Sequence, residues 1–417
     1  MRMKFNKSSQ LLLVSAVSLM AAGLITACGT VTTDFVYVTS AKAAGPNSYG
    51  EIDVFEINAV SGSMRQIPTS PFPSGGRNPV AEAVSADNQN LYVVNHDDNT
   101  IVQFKIGPDG KLYAQFTVNT PGIFPMAAAV NGSNLFVLDT YQPLPICSNA
   151  EPCSGSVGVF PILASSGTGS SATPGGGLGA PVTNPATGAN YWPLALPGSP
   201  NDVLVPTAIN IMASGARVYV TAYDSTSGAG YVFGFSVASG VLTPLKAGAP
   251  LATLTHPSAI ASDSTGSYVY VTDSASSSIY SYAVSAVPAT AGFLTQLGSP
   301  IQTGNQPSAV VADLKFPYLY AANALDGTVN AYSIGSGGTL TNIGTYPTGI
   351  QPVAIGIDPS TNHFLFTVNF LANGASGTIS DFEINSADGV LVNAQRSPYT
   401  TSVLPTAVAA VPHKATQ

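Results

Sequence analysis

Seven short apolar segments recur along the chain, and they constrain its fold more than any other feature. They are VYVTS (36–40), LYVVN (91–95), LFVLD (135–139), VYVTA (218–222), VYVTD (269–273), LYAAN (319–323) and LFTVN (365–369). Each is β-branched or aromatic and ends on a small or polar residue, as a buried strand does. A second segment follows each copy: GEIDVFEI (50–57), NTIVQFKI (99–106), GSVGVFPI (155–162), GYVFGFSV (230–237), SSIYSYAV (277–284), GTVNAYSI (327–334) and GTISDFEI (377–384). These alternate with period two and carry an aromatic at a common slot: Phe55, Phe104, Phe160, Phe233 or Phe235, Tyr282, Tyr332 and Phe382. A third type precedes most copies, a proline and then a small apolar run, as in PVAEAVSAD (79–87), PSAIASD (257–263) and PSAVVAD (307–313).

The prolines opening this third type, Pro79, Pro125, Pro206, Pro257, Pro307, Pro352 and Pro405, stand 46, 81, 51, 50, 45 and 53 residues apart. All intervals but one match a four-stranded propeller blade. The long one contains a Gly/Ser/Thr/Pro tract, 165–190, expected to be a disordered surface insertion. The first copy lacks a preceding proline segment, and an unused one, Pro405 to Val411, stands at the other end of the chain. A ring closed by that C-terminal strand explains both and removes the exposed sheet edge, whereas an open solenoid would need polar caps. The expected fold is therefore all-β, a seven-bladed propeller of four-stranded blades occupying 34–412, with a tail at 413–417. Small residues suit the innermost strands, which crowd the axis. Composition agrees: only 8% of residues are charged, against about 25% in an average soluble protein, which disfavours salt-bridged helices and coiled coils. With 45% hydrophobic residues, most of the chain has the means to form a core.

Arg2, Lys4 and Lys7 precede an apolar run from Leu11 to Ala27, the pattern of a secretory signal. The run ends in Ile25-Thr26-Ala27-Cys28, which resembles a bacterial lipobox. In such proteins the leader, here 1–27, is removed and the cysteine is lipidated, which would leave 28–33 as a lipidated start and linker. An ordinary signal peptide with an incidental cysteine is the alternative. The lipobox reading places the protein in the cell envelope, held to a membrane only by lipid. Removing three basic residues leaves ten against 21 acidic, a net charge of −11. No basic stripe exists to neutralise phosphates, so nucleic acid is excluded as a partner. Cys147 and Cys153 lie six apart in a Pro/Asn/Ser loop. In an oxidising compartment they should form a local disulfide; no ligand-spaced partners favour a metal, and no metal or cofactor is expected.

The strand segments resemble the YVTN-repeat and lactonase-like seven-bladed propellers, a group that includes bacterial 6-phosphogluconolactonase and a fungal muconate cycloisomerase. The resemblance covers about 34–412, and VYVT at 36–39, 218–221 and 269–272 nearly spells the repeat's name. It implies the fold and allows lactone hydrolysis, but these motifs specify the blade and not its chemistry.

No G-x-S-x-G elbow, Walker A loop or H-E-x-x-H motif is present, so the common hydrolase, nucleotide and zinc-protease signatures are absent. GGGLG (175–179) reads as linker. In a propeller a ligand sits at the axial mouth, among loops joining second to third strands and those leading into each innermost strand. That places Arg77, Asn78, His96, Asp97, Asp98, Asp139, Tyr141, Tyr223, Asp224, His256, Asp273, Asn323, Asp326 and Asn369 at this end. His96 or His256 is the candidate general base for water attack on a lactone, with Arg77 holding an oxyanion or carboxylate. Asp97, Asp139, Tyr141, Asp224, Asp273, Asn323 and Asn369 are candidate ligand-binding groups. Each also fits a turn residue that serves the loop alone. Two functions follow: a monomeric lipid-anchored propeller binding a small molecule, glycan or envelope protein, or a lactone hydrolase. With few basic residues to meet a phosphate, the hydrolase reading favours a non-phosphorylated lactone.

Overall fold

The computed structural model describes residues 32–41, 49–165, 175–199, 201–372 and 376–413. The leader, Cys28 and the last four residues lie outside the described residues. Seven antiparallel sheets form the molecule, and among the described residues no helix is long and apolar enough to cross a membrane. The innermost strands are Pro405–Pro412, Pro79–Val84, Ile123–Val130, Leu204–Ile211, Pro257–Ser262, Pro307–Ala312 and Ile350–Ile357. Each packs against the next in that order and the last against the first, so the ring is closed. The sheets are numbered here as blades 1 to 7 in the same order.

Closure is made as the repeat pattern requires. Pro405–Pro412 pairs antiparallel with Thr32–Ser40, with Val38 opposite Val408 and Phe35 opposite Val411. The aromatic slot is equally regular. Phe55, Phe104, Phe160, Phe235, Tyr282, Tyr332 and Phe382 each face the first residue of a repeat segment, which settles blade 4 on Phe235. All seven are at most 4% exposed. Buried clusters fill the spaces between neighbouring blades, as between blades 1 and 2 where Phe35, Tyr37, Leu91, Val93 and Phe104 meet. Burial of such side chains contributes roughly 1.5–3 kcal/mol each.

The repeated tyrosine has a second task at the end of the propeller away from the proline starts. Tyr37 Oη donates to the Gly110 carbonyl (3.0 Å), Tyr92 to Gly176 (2.7 Å), Tyr219 to Gly292 (2.6 Å), Tyr270 to Gly338 (3.2 Å) and Tyr320 to Gly389 (3.3 Å). In every case the acceptor glycine belongs to the next blade and has a positive φ, between 77° and 96° except for Gly338 at 73° and Gly389 at 75°. A hydroxyl that would be costly to bury alone is thereby satisfied, and it clasps one blade to its neighbour.

One of these glycines overturns a sequence expectation. Gly176 lies in the tract 165–190 and in the GGGLG run read as linker. The described part of that tract forms the outer edge of blade 3. Gly179 N donates to Pro161 O and Val182 N to Val159 O, both at 2.8 Å, and Val182 packs on the core cluster that holds Trp192 and Leu194. Trp192–Pro193 then completes the edge. The tract is poor in apolar residues because an outermost strand faces solvent on one side. Cys147 and Cys153 form the expected disulfide.

Candidate functional site

The mouth lies where the innermost strands begin. Each of the seven strand pairs there carries a register shift beside the proline, a bulge that re-aims the neighbouring side chains. The residue just before each proline forms a ring with one member per blade: Leu404, Asn78, Phe124, Val205, His256, Gln306 and Gln351. Five are held left-handed, Leu404 (φ 57°), Asn78 (52°), Phe124 (56°), Gln306 (52°) and Gln351 (55°). A non-glycine residue in that region costs of the order of 1–3 kcal/mol, and such strain gathers at functional sites. Backbone bonds to the facing loop hold the ring, with His96 N donating to Asn78 O (3.0 Å), Ser274 N to His256 O (2.9 Å) and Ala324 N to Gln306 O (2.9 Å).

On blades 2 and 3 the candidates converge. His96 Nδ1 lies 2.7 Å from Asp97 Oδ1, which also accepts from Asn78 Nδ2 at 3.1 Å. Burial alone would raise the Asp97 pKa, but these bonds and the nearby charges hold it below the ordinary value. Arg77 Nε binds Asp98 at 2.6 Å and its Nη2 donates to the Asp97 carbonyl at 3.1 Å. The His96 ring stacks on Phe124, with centroids 4.8 Å apart and planes 11° apart, and Tyr141 meets Phe124 edge-on at 5.9 Å. The result is an aromatic shelf beside a network in which the charges are already paired.

His256 belongs to a separate sector on blade 5, and no described contact links it to Arg77 or His96. Its ring packs on Tyr223 with centroids 4.0 Å apart, and its Nδ1 lies 3.1 Å from Ser274 Oγ. Of the two candidate bases, His96 therefore stands in one cluster with Arg77, while His256 lies elsewhere on the rim.

Five other candidates turn inward. Asp139, Asp273, Asn323 and Asn369 are fully buried and Asp224 is 5% exposed, so their expected ligand-facing role is corrected to one of holding loops. Asp273 accepts from the backbone of Thr255, His256, Ala275 and Ser276. Asn323 donates to Thr328 and Asn330, and Asn369 to Thr378 and Ser380. Asp224 accepts from Thr226 N–H, which lowers its pKa. Burial raises Asp139 to about 8, against the opposing bonds from Gly122 and Thr120. Asp139, Asp273, Asn323 and Asn369 sit inside the sheet, each opposite a repeat proline, and Asp224 sits opposite Leu204. Sequence reading missed Phe124, Gln306, Gln351 and Ser274; the signal for the first three was their place before each repeat proline. Among the described residues no group of three His, Cys, Asp or Glu side chains could hold a metal ion.

The largest described clefts lie at the other end, one of about 500 Å³ between blades 2 and 3 and one of about 470 Å³ between blades 5 and 6. Their walls are mostly turn residues.

A family model described as the lactonase, seven-bladed beta-propeller matches residues 217–337 and 300–408. No curated protein matches the sequence. Among solved structures, a protein of Bacteroides fragilis provisionally titled a 6-phosphogluconolactonase aligns at TM-score 0.66 and 19% identity over 92% of this chain and 99% of its own. The periplasmic gluconolactonase of Pseudomonas aeruginosa aligns at 0.65 and 18% over 90% and 99%. A Lactobacillus plantarum protein aligns at 0.66 and 19% over 91% and 100%. At such identities these structures attest the fold alone. With the same fold throughout and the family model matched over residues 217–408, this chain is a seven-bladed β-propeller whose second half is similar to the lactonase family.

Proposed function

We propose that the protein is an exported, lipid-anchored propeller that binds a ligand at its axial mouth, on the aromatic shelf of blades 2 and 3. The observation that carries this reading is the stack of His96, Phe124 and Tyr141 beside strained Asn78 and Phe124. Aromatic surface at the open end of a rigid ring, flanked by polar groups, is what a small-molecule site needs. Titration of the purified protein with lactones and oligosaccharides, monitored by calorimetry, tests it. Phe124→Ala and His96→Ala should weaken a bound ligand tenfold or more at unchanged Tm; wild-type affinity in both variants would remove the shelf from the site.

The anchor rests on the leader and Cys28. Thr32 opens its strand at the end opposite the mouth, so a lipid on Cys28 would hold that end to the membrane and turn the mouth outward. Cys28→Ala should move the protein out of the membrane fraction.

A second reading, lactone hydrolysis, is favoured by one contact, Ser274 Oγ at 3.1 Å from His256 Nδ1. A hydroxyl beside an imidazole can be activated as a nucleophile. It would open the lactone to an acyl-serine while the imidazole passes the proton to the leaving alkoxide, and water would then release the hydroxy acid. Turnover on a lactone panel that vanishes in both Ser274→Ala and His256→Ala would establish it.

A further inference from the structure

We propose that Gln306 and Gln351 are the specificity-determining arm of the mouth and select an uncharged, hydroxyl-bearing ring such as a neutral sugar; this rests on the mouth being the binding site. The two glutamines occupy equivalent places on the adjacent blades 6 and 7, immediately before Pro307 and Pro352. Both have left-handed backbones, which a glutamine adopts only at a cost. Gln306 is exposed and Gln351 half-buried, and no hydrogen bond to either side-chain amide is found among the described residues. Each amide therefore presents two donors and an acceptor to a ligand.

The ring order supplies the second half of the argument. Read around the axis it runs Leu404, Asn78, Phe124, Val205, His256, Gln306, Gln351. Phe124 and Val205 form an apolar arc, to which Tyr141 and Tyr223 add ring faces. His256, Gln306 and Gln351 form a polar arc. A ligand in the mouth meets flat hydrocarbon surface on one side and amides on the other, which suits a sugar ring with its C–H face and hydroxyl edge. Charge narrows the class. Arg77 is the one cation that the described residues place at this end, and Asp98 already holds it. Asp97 is bonded to His96 and Asn78, and Asp326 to Asn305. Among the described residues, neither a phosphate nor a carboxylate finds a free cation at this end.

The test is a charge series on one scaffold. Glucose, glucuronate and glucosamine, each as free sugar and as the terminal residue of an oligosaccharide, are titrated against the intact protein by calorimetry. The neutral member should bind at least tenfold tighter than either charged one, and the two forms tell a free sugar from a glycan end. Gln306→Ala and Gln351→Ala should each weaken it about 3- to 10-fold, one or two hydrogen bonds' worth, without lowering Tm. Gln306→Glu should shift preference toward glucosamine. Equal or tighter binding of a charged member overturns the inference. Unchanged affinity in the glutamine variants while Phe124→Ala abolishes binding overturns it and leaves the mouth reading standing. Absence of binding by every member overturns both.

Discussion

The two ends of the propeller are built on opposite plans. At the end away from the mouth the same contact recurs, a repeat tyrosine donating to a left-handed glycine of the next blade, in five blades of seven. At the mouth the equivalent positions hold seven residues of six kinds, and five have backbones that favour glycine but carry side chains instead. A contact that holds blades together is needed identically wherever blades meet, so its residues repeat. If the mouth binds an asymmetric ligand as proposed, it would gain nothing from sevenfold repetition; there the left-handed backbones are retained together with their side chains.

The largest effect should come from breaking the ring itself. Truncation after Ser402 removes the innermost strand of blade 1, including buried Val411. It exposes two sheet edges, and the loss rivals the roughly 5–15 kcal/mol stability of a domain. The truncated chain should aggregate or fail to accumulate; a soluble, cooperatively melting product would refute closure. Deleting 175–190 comes next. It takes away the clasp glycine of blade 3 and the outer edge around Val182, and should lower Tm by ten degrees or more on a thermal melt. A disordered insertion would leave Tm unchanged.

A single clasp can be stressed by Gly110→Ala. Its φ is 77° and a new Cβ would lie 2.5 Å from the ring of Phe35, which is 4% exposed. Left-handed cost and overpacking together predict about 2–4 kcal/mol of destabilisation, measured by denaturant unfolding. Acidity compares the two ends directly. Burial raises Asp139, at the mouth end, to about 8, and Asp34, at the other end, to about 7, the latter with Asp358 adding to the rise and Ser360 opposing it. Both exceed the ordinary 3.8, so the folded state keeps protons that the unfolded chain has lost. The stability from these protons is complete below pH about 4 and disappears as pH rises through 7 to 8. Melts from pH 5 to 9 should show Tm falling, with Asp139→Asn and Asp34→Asn each flattening part of the slope.

The smallest effect sharpens the contrast. Gln306→Gly and Gln351→Gly relieve left-handed strain and should raise stability slightly, by about 1 kcal/mol or less, while ligand affinity falls. The same substitution at a clasp tyrosine, Tyr270→Gly, should be severely destabilising, because it empties a fully buried site. Equal responses at the two ends would erase the distinction drawn between them.

Strand identity, blade number and ring closure were legible in the sequence, because burial between blades imposes the same apolar alternation on every copy. The disulfide followed from loop spacing. Side-chain direction at the mouth did not follow: Asp139, Asp273, Asn323 and Asn369 stand near the mouth ends of their strands as a ligand-facing residue would, yet beside the bulge at each proline they turn into the blade. There the aspartates accept from backbone N–H groups and the asparagines donate to side chains of the next strand. A bulge displaces the register by one residue and leaves no mark in composition. The same limit hid the tract at 175–190, whose polar residues suit a solvent-facing edge as well as a loose insertion, and only its pairing with Val159 and Pro161 decides between them. Pairing of His96 with Phe124 and of His256 with Ser274 joins residues 28 and 18 positions apart in sequence. Repetition in the sequence determined what the blades share; what distinguishes one blade from another at the mouth depends on which side chains meet across blade boundaries and bulges, and only the tertiary structure decides that.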